Sequence, residues 1–165
     1  MRRFMVIAAS AALLASPARA ERLTHEQLHA YFALAPAAPA GWKRADRGAP
    51  QSSELTSNLG VTYTSEDGSK RFGFVITFSE DNADHNRTLL RDAKKRDTWG
   101  YRLEKIRGRD VLVKKTPEAH ASSTYLTVLS DKRLVSIIEF TPGIDRAVLK
   151  AFFETIDFDA IARKR

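Results

Sequence analysis

The alternation of apolar and polar residues between 59 and 79 constrains the fold of this 165-residue chain most strongly. Residues 59–64 and 71–79 both alternate with a period of two, and Asp67–Gly68 lies between them. That period is typical of half-buried strands, and glycine accepts the positive φ of a tight turn. The segment therefore predicts a β-hairpin. Its core-facing side is expected to carry Phe72, Phe74, Ile76 and Phe78.

Four more segments with strand patterns follow one another: 101–106, 110–115, 123–129 and 134–141. Because these strands are not separated by helices, they favour antiparallel pairing. The pattern predicts an α+β fold with an antiparallel sheet of about six to seven strands.

Helical periodicity is found in three segments, 25–34, 83–97 and 144–156. The first follows Thr24 and Gln27, which have the spacing of a capping box. The last has a broad apolar face that must pack on the sheet. We expect 144–156 on one face of the sheet and 83–97 on the other.

Residues 1–20 have the pattern of a secretory signal peptide. Arg2 and Arg3 precede an apolar run over 4–14, and small residues end the segment at Ala20. The sequence therefore predicts a periplasmic or secreted protein, cleaved near Ala20. The expected organisation is a signal peptide (1–20), an N-terminal helix with an Ala/Pro linker (21–41), and a single α+β domain (42–165).

Cleavage would remove three arginines and no acidic residue, so the net charge would fall from +7 to +4. That charge is below what a nucleic-acid-binding domain usually carries, and no nucleic-acid partner is expected. The chain has no cysteine, which excludes disulfides, thiolate metal sites and cysteine nucleophiles. No apolar segment after the leader approaches about 20 residues, so the mature chain should have no transmembrane segment. The glycine patterns of serine hydrolases and phosphate loops are absent.

His25, Glu26 and His29 form an H-E-x-x-H pattern within the first predicted helix. On a helix the two imidazoles can share one zinc ion, and the glutamate can act as general base on a metal-bound water. A catalytic zinc needs a third protein ligand, and the sequence after His29 supplies none at the usual spacing. The distant candidates for that ligand are Glu54, Glu66, His85 and His120.

The second predicted helix carries a basic stripe made of Arg87, Arg91, Lys94 and Lys95, placed together at 100° per residue. Such a stripe is usually a solvated face, but it also favours phosphate, carboxylate or lipid headgroups. Arg102, Lys105, Arg107 and Arg109 would extend this surface if they lie nearby. The oxygen-rich residues before and within this helix suggest calcium weakly, because the EF-hand glycine and glutamate are missing. They are Glu80, Asp81, Asn82, Asp84 and Asn86.

A proline-rich lead to Gly41–Trp42, the hairpin, the antiparallel strands and a terminal segment over 152–161 occur in this order. The arrangement resembles small exported bacterial proteins of the Mog1/PsbP-like α/β/α sandwich. The resemblance implies a binding or assembly role rather than catalysis. We therefore expect a non-catalytic exported accessory protein that binds an envelope protein or a small anion. The alternative is a small zinc-dependent hydrolase using the H-E-x-x-H residues.

Overall fold

The computed structural model describes residues 23–45, 48–52, 56–116 and 123–164. The described residues form an α+β fold with an eight-stranded antiparallel sheet. Its strands are β1 (Trp42–Arg44), β2 (Ala49–Ser52), β3 (Ser57–Ser65), β4 (Arg71–Phe78), β5 (Tyr101–Ile106), β6 (Arg109–Lys114), β7 (Ser123–Ser130) and β8 (Arg133–Glu139). The helices are α1 (His25–His29), α2 (Glu80–Arg91), α3 (Ala93–Thr98), α4 (Arg146–Glu154) and α5 (Phe158–Arg163).

The strands lie in the order β1, β3, β4, β8, β7, β6, β5 across the sheet, and β2 pairs with β3 beside β1. β1 and β2 therefore share one edge, and β5 forms the other. All pairings are antiparallel, and β7 carries an irregularity between Ser123 and Tyr125. This order places β4 beside β8, although residues 79–132 separate these two strands in the chain.

One face of the sheet carries the main core. Side chains of β3, β4 and β8 on this face are fully buried under α1, α4 and α5. Leu28 and Tyr31 of the N-terminal segment belong to the same core. Phe152 packs edge to face against both Tyr63 and Phe72, with ring centroids 4.7 and 4.9 Å away.

The opposite face is covered over only part of its width. α2 packs against β6, β7 and β8. Leu89 of α2 joins a smaller core with Leu112, Leu126 and Leu134. Towards β3 and β4, no helix among the described residues lies above the same face, and this asymmetry leaves a groove.

The structure confirms the antiparallel α+β fold, the hairpin around Asp67–Gly68 and the capping box of α1. Other expectations need correction. The sheet has eight strands rather than six or seven, because β1 and β2 add an edge. The helix predicted over 83–97 is two helices, because Asp92 is extended and its carboxylate caps α3 by accepting from the Lys95 N–H at 3.0 Å. α5 was not predicted as an element separate from 144–156.

The turn between β3 and β4 supports a pH prediction. The Asp67 carboxylate accepts hydrogen bonds from the Ser65 hydroxyl and from the Ser69 N–H and hydroxyl. These bonds favour the ionised form and lower the pKa of Asp67 from 3.8 to about 2. Because the folded pKa is depressed, the stabilisation is present above pH 3.8 and is lost as the pH falls through 2.

A carboxyl-detected NMR titration of the protein should therefore place Asp67 well below the ordinary aspartate value. Asp67→Asn should flatten the dependence of the unfolding free energy on pH between 4 and 2, since it removes the titrating group. Asp131→Asn is the control, because Asp131 lies in a different turn. A titration midpoint near 3.8 would contradict the expected hydrogen bonding.

Candidate functional site

A groove lies on the partly covered face of the sheet, between β2, β3, β4, β8 and the first turns of α2. Its volume is about 550 Å³, within the range of about 300–1,000 Å³ typical of ligand sites. The floor of the groove consists of three rows of residues, and each row crosses several paired strands. Antiparallel register places alternate residues of neighbouring strands side by side on the same face.

The first row carries Gln51, Asn58 and Thr77 and ends at Leu134. The second places Gly60 beside Val75, followed by Ser136. The third runs from Thr62 through Gly73 to Ile138 and Ser123. Asn82 and Asn86 of α2 form a wall. The rows combine amide and hydroxyl groups with glycine and aliphatic residues, so the floor is uncharged and mixed in polarity.

Phe140 closes the groove at the third row. Its side chain remains 41% exposed, and its ring lies over the backbone of Gly73. A Cβ atom at Gly73 would come within 2.8 Å of Phe140 Cζ. Gly73 therefore allows the ring to lie close to the sheet, and any larger residue would push it away. The ring presents an apolar surface beside Ile138.

None of the groove's described lining residues is charged, although 28% of the chain is Asp, Glu, Lys or Arg. Thr77 and Ser136 are only 8% and 3% exposed. Within the described part of the chain, neither hydroxyl has a side-chain hydrogen bond. The groove floor thus offers neutral hydroxyl groups that can bond to a ligand.

The predicted basic stripe is divided by the break at Asp92. Arg87 lies on α2 and is paired with Asp84 and with Asp131, whose Oδ1 is 2.7 Å from Arg87 Nη1. Lys94 and Lys95 lie on α3 and are exposed, as is Arg91 at the end of α2. These three form no ion pair with a described residue. Anion binding by them stays a prediction, but the charge of Arg87 is already compensated.

The four basic residues proposed to extend this surface have structural partners. Arg102 pairs with Glu104, Lys105 with Asp110 and Arg109 with Asp159. Arg107 donates to the carbonyl oxygens of Glu154 and Ile156 at 2.8 and 3.2 Å. It thereby satisfies carbonyls at the end of α4, where cations are favoured.

The H-E-x-x-H residues lie on the surface. α1 ends at His29, and the His25 and His29 rings are 6.2 Å apart. The described residues include no group of three His, Asp or Glu side chains that could hold a metal. Of the distant ligands, Glu54 and His120 lie outside the described residues, and His85 packs against Trp99. Zinc binding and the role of Glu26 as a base stay predictions.

The acidic residues considered for calcium have another role. Glu80 and Asp81 occupy the first turn of α2, where negative charge is favoured by the helix dipole. Asp84 pairs with Arg87. Asn82 and Asn86 instead line the groove.

A second polar cluster lies on the other face of the sheet. Glu139 is buried, and its Oε1 accepts a hydrogen bond from the Thr124 hydroxyl at 2.7 Å. Arg146 Nη2 is 3.9 Å from the same oxygen. Glu139 Oε2 and both terminal nitrogens of Arg146 have no hydrogen-bond partner among the described residues. The ion pair ties the first turn of α4 to the end of β8.

No described helix has the length and apolar character needed to cross a membrane. Comparison of the chain with protein-family models, with curated proteins and with solved structures gave no match. The resemblance to the Mog1/PsbP-like sandwich therefore stays a prediction.

The groove was missed by sequence reasoning, although a signal for it exists. Residues 57–65, 72–79, 123–130 and 134–138 contain no charged residue. A sheet face that is simply solvated usually carries charged side chains. The outward positions of these strands carry Asn, Thr, Ser and Gly together with Val75, Leu134 and Ile138, which is typical of a face that contacts something other than bulk water.

Proposed function

We propose that this protein is an exported, non-catalytic binding protein whose ligand is a small uncharged polar molecule held in the groove. The observation that carries the proposal is the neutral polar lining of the groove. A charged ligand in such a site would be desolvated without a compensating charge, which is costly. An uncharged ligand with hydroxyl or amide groups would exchange hydrogen bonds with the neutral side chains of the groove instead.

The nature of the lining supports binding rather than catalysis. Its described residues include serine and threonine hydroxyls but no histidine, carboxylate, lysine or cysteine. A hydroxyl nucleophile needs a base within hydrogen-bond distance. The described lining offers none. The leader-like residues 1–20 support export.

Binding can be tested by NMR with a library of small fragments, some neutral with hydroxyl or amide groups and others anionic, including inorganic phosphate. We expect neutral fragments to shift the amide signals of Asn58, Thr77 and Ser136, because these residues lie on the groove floor. Phosphate should leave these signals unchanged. Failure of every neutral fragment to shift the groove signals would overturn the proposal.

Thr62→Val should lower the affinity for the best-binding neutral fragment about threefold to tenfold, since a hydrogen bond contributes about 0.5–1.5 kcal/mol. Thr64→Val is the matched control, because Thr64 is on the same face of β3 but outside the groove. Equal effects of the two substitutions would contradict binding in the groove. Phosphate shifts confined to Arg91, Lys94 and Lys95 would favour the anion-binding hypothesis instead.

A further inference from the structure

The polar groups of the groove surround an apolar strip. Val75 and Ile138 occupy neighbouring rows of the floor, and the Phe140 ring continues them at the end of the groove. Asn58 lies on one side of this strip, and Asn82 approaches from α2. A ligand that fills the groove must therefore combine an apolar face with polar edges.

The polar side chains of the groove also indicate which hydrogen-bonding groups the ligand carries. An asparagine side chain offers both a donor and an acceptor, and a hydroxyl can do either. Asparagine and hydroxyl side chains therefore complement ligand groups that both donate and accept hydrogen bonds, as sugar hydroxyls do. A carboxylate or phosphate would only accept, and an ammonium would only donate.

Phe140 supplies the matching apolar surface. Its half-exposed ring meets Gly73 through the edge formed by Cζ and Cε2, so much of the ring surface is free to contact a ligand. Aromatic rings are large, rigid contact surfaces with an electron-rich face. That face suits the weakly positive C–H groups on one side of a pyranose ring.

From these features we infer that the ligand of the groove is an uncharged saccharide of at least two rings, with one sugar ring stacked on Phe140 and the hydroxyls of the other ring bonded by Asn58 and Asn82. This inference rests on the proposed function of the groove. It adds the class of ligand and assigns Phe140 as the residue that selects for it.

The test uses NMR titration of the protein with four probes. These are maltose, N,N′-diacetylchitobiose, the blocked dipeptide N-acetylglycylglycinamide and inorganic phosphate. We expect at least one disaccharide to bind saturably, to shift the Asn58 and Asn82 side-chain amides, and to show upfield shifts of its own C–H protons from the Phe140 ring current. The dipeptide and phosphate should not saturate the groove.

Variants at Phe140 separate stacking from general effects on folding. Phe140→Leu should lower the affinity for the disaccharide about tenfold and abolish the upfield shifts of its protons, since the aromatic face is lost. Phe140→Tyr should retain both the affinity and the upfield shifts. Trp99→Leu is the control, because Trp99 is also an exposed aromatic but lies at the end of α3, outside the groove.

The outcomes distinguish this inference from the proposed function. If the blocked dipeptide saturates the groove and neither disaccharide does, the groove is a binding site but the saccharide inference is wrong. If a disaccharide binds without upfield shifts and Phe140→Leu binds it normally, the role of Phe140 is wrong. If no neutral probe or fragment binds, both proposals fail.

Discussion

Phe153→Ala should lower the free energy of unfolding by about 3–5 kcal/mol, the usual cost of removing a buried phenylalanine side chain. Phe153 is fully buried on α4. Its ring centroid lies 5.5 Å from that of Tyr125 in the sheet and 5.2 Å from that of Phe158 in α5. One side chain thus joins two helices to the sheet, and its loss leaves a cavity that none of them can fill alone.

Urea unfolding monitored by circular dichroism measures this effect. Phe153→Leu should cost less than Phe153→Ala, because most of the apolar volume remains. Lys150→Ala, on the exposed side of the same helix, should change the free energy by no more than about 0.5 kcal/mol. A loss below about 1 kcal/mol for Phe153→Ala would mean that α4 is not packed as described.

Arg133→Met should destabilise the protein by about 2 kcal/mol and loosen α5. Arg133 Nη1 donates to the carbonyl oxygens of Ile161, Ala162 and Lys164 at the end of that helix, where carbonyls have no partner within the helix. Its guanidinium also lies 5.2 and 5.4 Å from the ring centroids of Phe78 and Tyr31. Hydrogen bonds from a charged donor contribute about 1.5–3 kcal/mol each, less where solvent reaches them.

Hydrogen exchange identifies where this stability is lost. In Arg133→Met the amides of α5 should exchange faster than those of β3 and β4, because the substitution frees the helix end first. Lys132→Met is the matched control, since Lys132 is the exposed neighbour in the same turn. Uniform acceleration across the sheet, or none in α5, would contradict this role for Arg133.

The parts of the fold that were predicted from the sequence are those in which local pattern and tertiary packing agree. The hairpin alternates clearly because one of its faces lies in the core, and α4 has a broad apolar arc for the same reason. β1 and β2 gave no such signal. They are short edge strands, and β2 contains Pro50, which cannot donate to a ladder.

The break at Asp92 and the groove depend on information that periodicity does not contain. Asp92 ends α2 through its own backbone conformation and begins α3 with its side chain. The residues of the groove come from separate strands and become neighbours only through the pairing of β4 with β8. The lack of charge in those strands was visible, but their order in the sheet was not.

The position of the edge strands bears on how the protein behaves when it is concentrated. An open sheet can pair with further strands at its edges, and long apolar edge strands promote fibrous aggregation. Here one edge strand, β5, carries Arg102, Glu104 and Lys105. The other edge is divided between β1 and β2 and contains Pro50. Both edges therefore resist strand addition from a second molecule, and the uncharged face of the sheet can remain open for a ligand without edge-to-edge association.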